Sequence, residues 1–166
     1  QKLIRNAEFR YPNASVEAIE YHPDRKLDKG QMLEFSTCRY ITDDHHIILK
    51  GASGNGKTFI ACALGVAACK NFIKVRYIRL PDLLNELAIA HGDGTLKKVI
   101  NAYQKIDLLI LDELSYLSFN KYESDLLFKV LSDRSERSST IVTTNLPFSK
   151  WTELFENTTM VSALVD

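Results

Sequence analysis

Eight residues, Gly51-Ala52-Ser53-Gly54-Asn55-Gly56-Lys57-Thr58, combine types and spacing that suit one kind of chemistry. Glycine, four free positions and then Gly-Lys-Thr form a loop that wraps phosphate groups. The glycines let the backbone curl until successive N–H groups aim at phosphate oxygens. Lys57 adds a cation for the β- and γ-phosphates, and the Thr58 hydroxyl suits Mg²⁺. A helix beginning here turns its positive end toward the same phosphates. The candidate nucleotide-binding set therefore runs from Gly51 through Thr58 and on to Phe59.

A second group lies at Asp112-Glu113, directly after Leu108-Leu109-Ile110-Leu111. Four apolar residues without alternation mark a strand buried on both faces, as in parallel sheets. Adjacent carboxylates at its end are costly inside a domain unless they are paired. Ligands of open parallel sheets sit outside the carboxyl ends of the strands. Asp112 is thereby placed to hold Mg²⁺, directly or through water, and Glu113 to take a proton from an attacking water. A third candidate is Asn145, which ends the β-branched run Thr140-Ile141-Val142-Thr143-Thr144. It reads either as a γ-phosphate or water contact or as an ordinary turn residue.

The elements that must position these groups follow from periodicity. His46–Lys50 reads as a short buried strand entering the loop, and Thr58–Lys70 as an alanine-rich helix leaving it, apolar nearly all round. Lys74–Leu80 alternates apolar and basic residues and reads as a second strand. Pro81-Asp82 opens a helix, His91-Gly92-Asp93-Gly94 breaks it, and Thr95 starts another that runs to about Tyr103 with Lys97 and Lys98. Tyr122–Arg134 is an amphipathic helix. Upstream, Ser15 caps a short turn through Ala18, Ile19–Tyr21 reads as an extended piece against the nucleotide site, and Lys29–Cys38 reads as a helix. Trp151 and Phe155 read as packing a short helix onto the domain, with stacking on a base as the alternative.

Composition narrows the class. The 166 residues balance 21 Lys and Arg against 21 Asp and Glu. Zero formal charge argues against a uniformly basic nucleic-acid binder. The balance is local, however: residues 51–111 hold eight basic against four acidic residues, and 112–166 hold five against nine. A basic surface in the middle third remains open. No apolar run approaches a membrane span, and no signal-peptide pattern opens the chain, so the expected location is the cytoplasm. Cys62 and Cys69 lie seven residues apart on one expected helix, about 10 Å of rise and too far for a disulfide. No Cys/His spacing suggests zinc.

Together the loop Gly51–Thr58, the strand Leu-Leu-Ile-Leu-Asp-Glu and the run Ser-Thr-Ile-Val-Thr-Thr-Asn-Leu-Pro-Phe-Ser-Lys-Trp resemble the IstB/DnaC-like group of AAA+ ATPases. Asp112–Leu117 and Asn145–Trp151 resemble IstB-type transposition helpers most. The resemblance implies an α/β fold: a three-layer P-loop NTPase core with a parallel sheet, over residues 41–166, preceded by a helical and extended lead-in over 1–40. It implies ATP and Mg²⁺ as ligands, Lys57 and Thr58 as the Walker A pair, Asp112 and Glu113 as Walker B, and Asn145 as sensor I. Catalysis would then fall to Lys57, Glu113 and Asn145.

The resemblance also implies ATP hydrolysis, assembly into an oligomer on double-stranded DNA, and a transposase as partner, with no membrane. A replicative helicase is the partner under the runner-up reading, a helicase loader. The helical insertion carrying Lys97 and Lys98 is where the group meets DNA. A nucleotide kinase is the alternative of another class, disfavoured by Asp-Glu at a strand end and by the lack of an arginine-rich lid. A non-hydrolysing scaffold is disfavoured by Glu113. The family pattern continues past Asp166 with a trans-acting arginine and a final strand, so four strands are expected here, with the C-terminal strand and lid missing. Arg134 and Arg137 then stand as trans-acting candidates or as surface ion-pair formers.

Overall fold

A computed structural model describes residues 1–21, 27–51, 55–114, 120–134, 138–145 and 160–164, with backbone only at Asn55, Asp133 and 160–164. Its centre is one sheet of five strands: β1 (His46–Lys50), β2 (Val75–Arg79), β3 (Leu108–Leu114), β4 (Ser139–Thr144) and β5 (Met160–Leu164). Their order is β2-β3-β4-β1-β5, and every neighbouring pair is parallel. All strand ends that follow a carboxyl direction therefore gather at one edge of the sheet.

Helices cover both faces. On one side lie α1 (Lys2–Ala7), α2 (Lys29–Ser36), the short α3 (Arg39–Thr42) and α4 (Asn55–Lys70). On the other lie α5 (Leu80–Asp93), α6 (Leu96–Gln104) and α7 (Lys121–Arg134). The strands sort their side chains accordingly. Ile47, Leu49, Val75, Tyr77, Leu108, Ile110 and Ile141 join the α4 side, while Ile48, Ile78, Leu109, Leu111 and Val142 join the α5–α7 side. This two-sided burial is what a run such as Leu108–Leu111 requires. The expected three-layer α/β architecture with a parallel sheet is present.

The strand count differs from expectation. Met160–Leu164 pairs along its whole length with β1, so the sheet has a fifth strand and β1 is not its edge. Residues Ser162 and Ala163 carry little intrinsic strand preference. The open hydrogen-bonding edge of β1 decides their conformation instead.

Smaller departures lie at helix ends. The helix expected to reach Cys38 stops at Ser36, because Cys38 takes a left-handed backbone (φ 64°) and starts a separate turn. The helix α4 begins at Asn55, three residues before its expected start.

α4 is apolar all round because it is enclosed all round. The N-terminal residues form a further layer over it: Ala7, Phe9, Val16 and Ile19 are buried in the same cluster as Ile60, Leu64 and Ala68. Gly65 is the contact that permits this. A Cβ there would collide with the Phe9 ring and stand 2.8 Å from Ile110 Cδ1. Glycine in a helix interior costs about 1 kcal/mol relative to alanine, so the close approach of Phe9 outweighs helix propensity here. Burial also raises the Cys62 and Cys69 thiols to about 11, leaving them poor nucleophiles.

Gly65→Ala should therefore destabilise the domain by about 1–3 kcal/mol despite improving helix propensity. Combining it with Phe9→Leu should recover part of that loss. Urea unfolding of both variants checks this, and a Gly65→Ala protein as stable as its parent would refute the role of the contact.

Candidate functional site

The carboxyl edge of the sheet assembles the site. β1 ends at Lys50, opposite Thr144 of β4, and the Gly51 N–H donates to the Thr144 carbonyl at 3.1 Å. The start of the phosphate loop is thus pinned to β4. Lys57 folds back from the first turn of α4 and is only 7% exposed. Its ammonium donates to the Gly51 carbonyl at 2.5 Å and to that of Thr144 at 3.2 Å. Burial lowers its pKa, and the charge of Asp112 opposes that shift. Two neutral carbonyls are modest partners for a desolvated cation, so phosphate oxygens compete for it on favourable terms. Ala52, Ser53, Gly54 and the Asn55 side chain lie outside the described residues.

Asp112 is fully buried. Such a carboxylate needs donors on every side, and three hydroxyls converge on it. The Thr58 hydroxyl lies 2.9 Å from Oδ2 and 3.2 Å from Oδ1, Tyr77 donates to Oδ2, and Thr143 donates to Oδ1. Burial first, and then the hydrogen bond to Asp112, raise the Tyr77 pKa, so the phenol stays protonated as a donor. Thr58 and Asp112 are hard oxygen ligands side by side, and that donor set suits Mg²⁺. Among the described residues no group of three or more His, Cys, Asp and Glu gathers to cage a metal.

Glu113 owes its position to a bulge. Leu111 pairs with Val142 but Leu114 pairs with Thr144, so β3 spends one extra residue. Glu113 takes a left-handed backbone there (φ 63°) and donates its N–H to Thr143 Oγ1 at 2.9 Å. The extra residue resets the alternation: Leu114 joins the α5–α7 core beside Leu111, while Glu113 is pushed outward. A non-glycine residue in this conformation is strained, as residues at functional sites often are. The Glu113 carboxylate meets the Arg79 guanidinium at 2.5 Å, with side chains 40% and 44% exposed. That hydrogen bond is the main cause raising the Arg79 pKa.

Thus the fold brings Gly51, Lys57, Thr58, Asp112 and Glu113 to one edge. Asn145 follows β4 at the same edge and is exposed. Phe59, in the second turn of α4, is half-buried, its ring 6.1 Å from that of Tyr11. Lys97 and Lys98 are exposed on α6, in the opposite helix layer. Tyr77, Arg79 and Thr143 are functional neighbours that the sequence reading missed. A signal existed in the alternation of β2, which puts Tyr77 and Arg79 on the α4 face, but naming their partner needed the pairing of β2 with β3.

One expectation is overturned. Arg134 is no trans-acting arginine, because it is fully buried in its own domain. Its guanidinium donates to the carbonyls of Tyr103 (2.7 Å), Ile106 (2.6 Å) and Ser139 (2.7 Å) and to Thr140 Oγ1 (3.3 Å). Burial pushes its pKa down to about 10 against the pull of Asp107, so it stays charged at neutral pH. The long aliphatic stem and five donors let it serve as a bolt between α6, α7 and β4. Arg137, Trp151 and Phe155 lie outside the described residues.

A phosphate-loop sequence joined through Thr58 to a buried strand-end aspartate, on a five-stranded parallel sheet, defines a nucleotide-binding domain of the P-loop kind. The chain belongs to the family of IstB-like ATP-binding proteins, whose pattern matches residues 1–166. It is 35% identical over 152 residues to a protein of insertion sequence IS1162 from Pseudomonas fluorescens named for ATP binding, covering 92% of this chain and 66% of that protein. It is 33% identical over 151 residues to the corresponding protein of insertion sequence IS232 from Bacillus thuringiensis subsp. berliner, covering 91% and 60%. The chain therefore spans somewhat under two thirds of these curated relatives.

Among solved structures it is similar to DnaI (TM-score 0.76, 18% identity, 99% of this chain and 93% of that one). It is also similar to the DnaC helicase loader (TM-score 0.75, 20% identity, 95% and 99%). A third is DnaA bound to AMPPCP and single-stranded DNA (TM-score 0.73, 20% identity, 93% and 51%). At these identities the likeness concerns the fold.

Arg134→Ala should cost about 3 kcal/mol or more, since it strands several buried carbonyls at once. Thermal unfolding of the variant checks this. Normal stability with activity lost in the variant alone and recovered on mixing with Lys57→Ala chains, which keep Arg134, would restore the trans-acting role.

Proposed function

We propose that this chain binds ATP with Mg²⁺ and hydrolyses it as a DNA-associated helper of a transposase, working in the cytoplasm as an oligomer on double-stranded DNA. The observation that carries the ATP reading is the Thr58–Asp112 hydrogen bond, which joins the phosphate loop to the acidic strand. The kinship with insertion-sequence proteins supports the transposase as partner, over a replicative helicase.

The roles follow from the geometry. Lys57 holds the β- and γ-phosphates, together with backbone N–H groups of the loop from Gly51 to Phe59. Mg²⁺, held by Thr58 and Asp112, supplies charge neutralisation on the phosphates. Tyr77 and Thr143 fix the Asp112 carboxylate. Glu113 accepts the proton of the attacking water, and Asn145, at the end of β4, orients that water or the γ-phosphate. Residues 1–40 act as the lead-in to a core running over 41–166.

In the structure Glu113 is held by Arg79 rather than left free for water. Exposed ion pairs are worth about 0–1 kcal/mol, so the carboxylate is released easily. This pair gives the site a resting arrangement from which Glu113 must swing.

Lys57→Ala should abolish nucleotide binding, and Glu113→Gln should retain binding while losing turnover. Calorimetric titration with ATP–Mg²⁺ and a phosphate-release assay, each with and without duplex DNA, separate the two. Unchanged affinity in the first variant, or surviving turnover in the second, would sink the assignment. Transfer of phosphate to nucleoside monophosphates would favour the kinase reading instead.

Arg79→Ala should leave ATP affinity unaltered and raise turnover without DNA by up to about fivefold, the factor corresponding to about 1 kcal/mol. A turnover equal to that of the parent would show that the ion pair does not restrain Glu113.

A further inference from the structure

The hydroxyls around Asp112 fix the orientation of its carboxylate as well as its place. Asp112 stands on β3, and the strands on either side, β2 and β4, each send it one donor. Tyr77 of β2 donates to Oδ2, and Thr143 of β4 donates to Oδ1. The Thr58 hydroxyl is nearly equidistant from the two oxygens, 2.9 Å from Oδ2 and 3.2 Å from Oδ1. Those distances place Thr58 across the edge by which a carboxylate chelates a cation.

Neither pin has much freedom. Tyr77 is 5% exposed, with its ring in the α4-side core, and Thr143 is 1% exposed. Thr143 Oγ1 also accepts the Glu113 N–H at 2.9 Å, which restrains the direction of its own proton. A phenol and a threonine each have one O–H to give, and both are committed to Asp112. Turning the carboxylate about its Cβ–Cγ bond would break both bonds inside a dry core, where an unpaired anion is costly. The chelating edge therefore stays against Thr58, and a cation arriving beside Thr58 meets a single oxygen.

That restriction separates hard divalent ions by size. Calcium accepts bidentate carboxylates, in flexible shells of about six to eight oxygens at about 2.3–2.6 Å. Magnesium demands near-octahedral geometry at about 2.0–2.1 Å and keeps several of its waters, so one oxygen is enough. We propose that Tyr77 and Thr143 make the nucleotide site selective for magnesium over calcium, by pinning one Asp112 oxygen each so that the carboxylate cannot turn to chelate the larger ion. The inference rests on the proposed binding of ATP with Mg²⁺ and names the residues that choose the accompanying cation. Both act through Asp112, as positioning residues.

The test is a calorimetric titration of the chain with a non-hydrolysable ATP analogue, at saturating Mg²⁺ and at saturating Ca²⁺. The quantity read is the ratio of the two affinities, in which a general loss of binding cancels. The parent should favour Mg²⁺. Tyr77→Phe keeps the ring and removes only the hydroxyl, and it should narrow the preference by up to about tenfold, in line with the net contribution of one hydrogen bond. Thr143→Val should narrow it likewise, while Thr143→Ser, which retains a hydroxyl, should keep the parental ratio. Because the Thr143 pair leaves Tyr77 intact, it reads the inference even where Tyr77→Phe unfolds in a thermal melt. An unchanged ratio in Tyr77→Phe and Thr143→Val overturns the inference. So does an equal fall in both affinities, which leaves the hydroxyls a purely structural part. A parent that binds the analogue equally well with either ion overturns the selectivity and leaves ATP binding standing. A parent that binds the analogue with neither ion overturns the ATP reading, and the inference with it.

Discussion

The buried carboxylate of Asp112 is the constraint around which the nucleotide edge is organised. An unsatisfied anion in the core would cost several kcal/mol, so three different elements each supply a hydroxyl to it. Thr58 comes from α4, Tyr77 from β2 and Thr143 from β4. The same three bonds therefore do two things. They make the burial tolerable, and they tie neighbouring elements to the end of β3: Tyr77 and Thr143 join β2 and β4 to it, and Thr58 joins the phosphate-loop helix to the sheet.

Glu113 stands one residue further on and obeys the opposite rule. The bulge that follows Leu111 keeps Leu114 in the core while turning Glu113 outward, where it meets Arg79. A regular strand would have placed residue 113 on the face that Leu114 now fills. The bulge thus gives two adjacent acids two distinct environments: one dry and immobilised, one wet and able to move.

Polar groups also join the two edges of the domain. Arg134 holds the end of α6 to the start of β4, and the other end of β4 carries Thr143, Thr144 and Asn145 beside the phosphate loop. On the α4 face the tolerance is steric instead. Gly65 and the small residues around it let the N-terminal segment lie close enough to enclose α4 completely. The helix that presents Lys57 and Thr58 is consequently held on every side.

Local rules were enough to read much of this from the chain. The phosphate loop, the double-sided strand Leu108–Leu111 and the carboxylates at its end are legible because each depends on residue type and spacing alone. The parallel sheet follows from that strand, while the three-layer architecture came from the family resemblance. Other features depend on which distant segments meet, and there the sequence was silent or misleading. Tyr77 became a partner of Asp112 only through the pairing of β2 with β3. Arg134 looked like a surface cation until the fold enclosed it. Met160–Leu164 became a strand because β1 offered an open edge. Spacing determines what a loop can bind, whereas burial and strand pairing, which are properties of the whole fold, decide which side chains surround it.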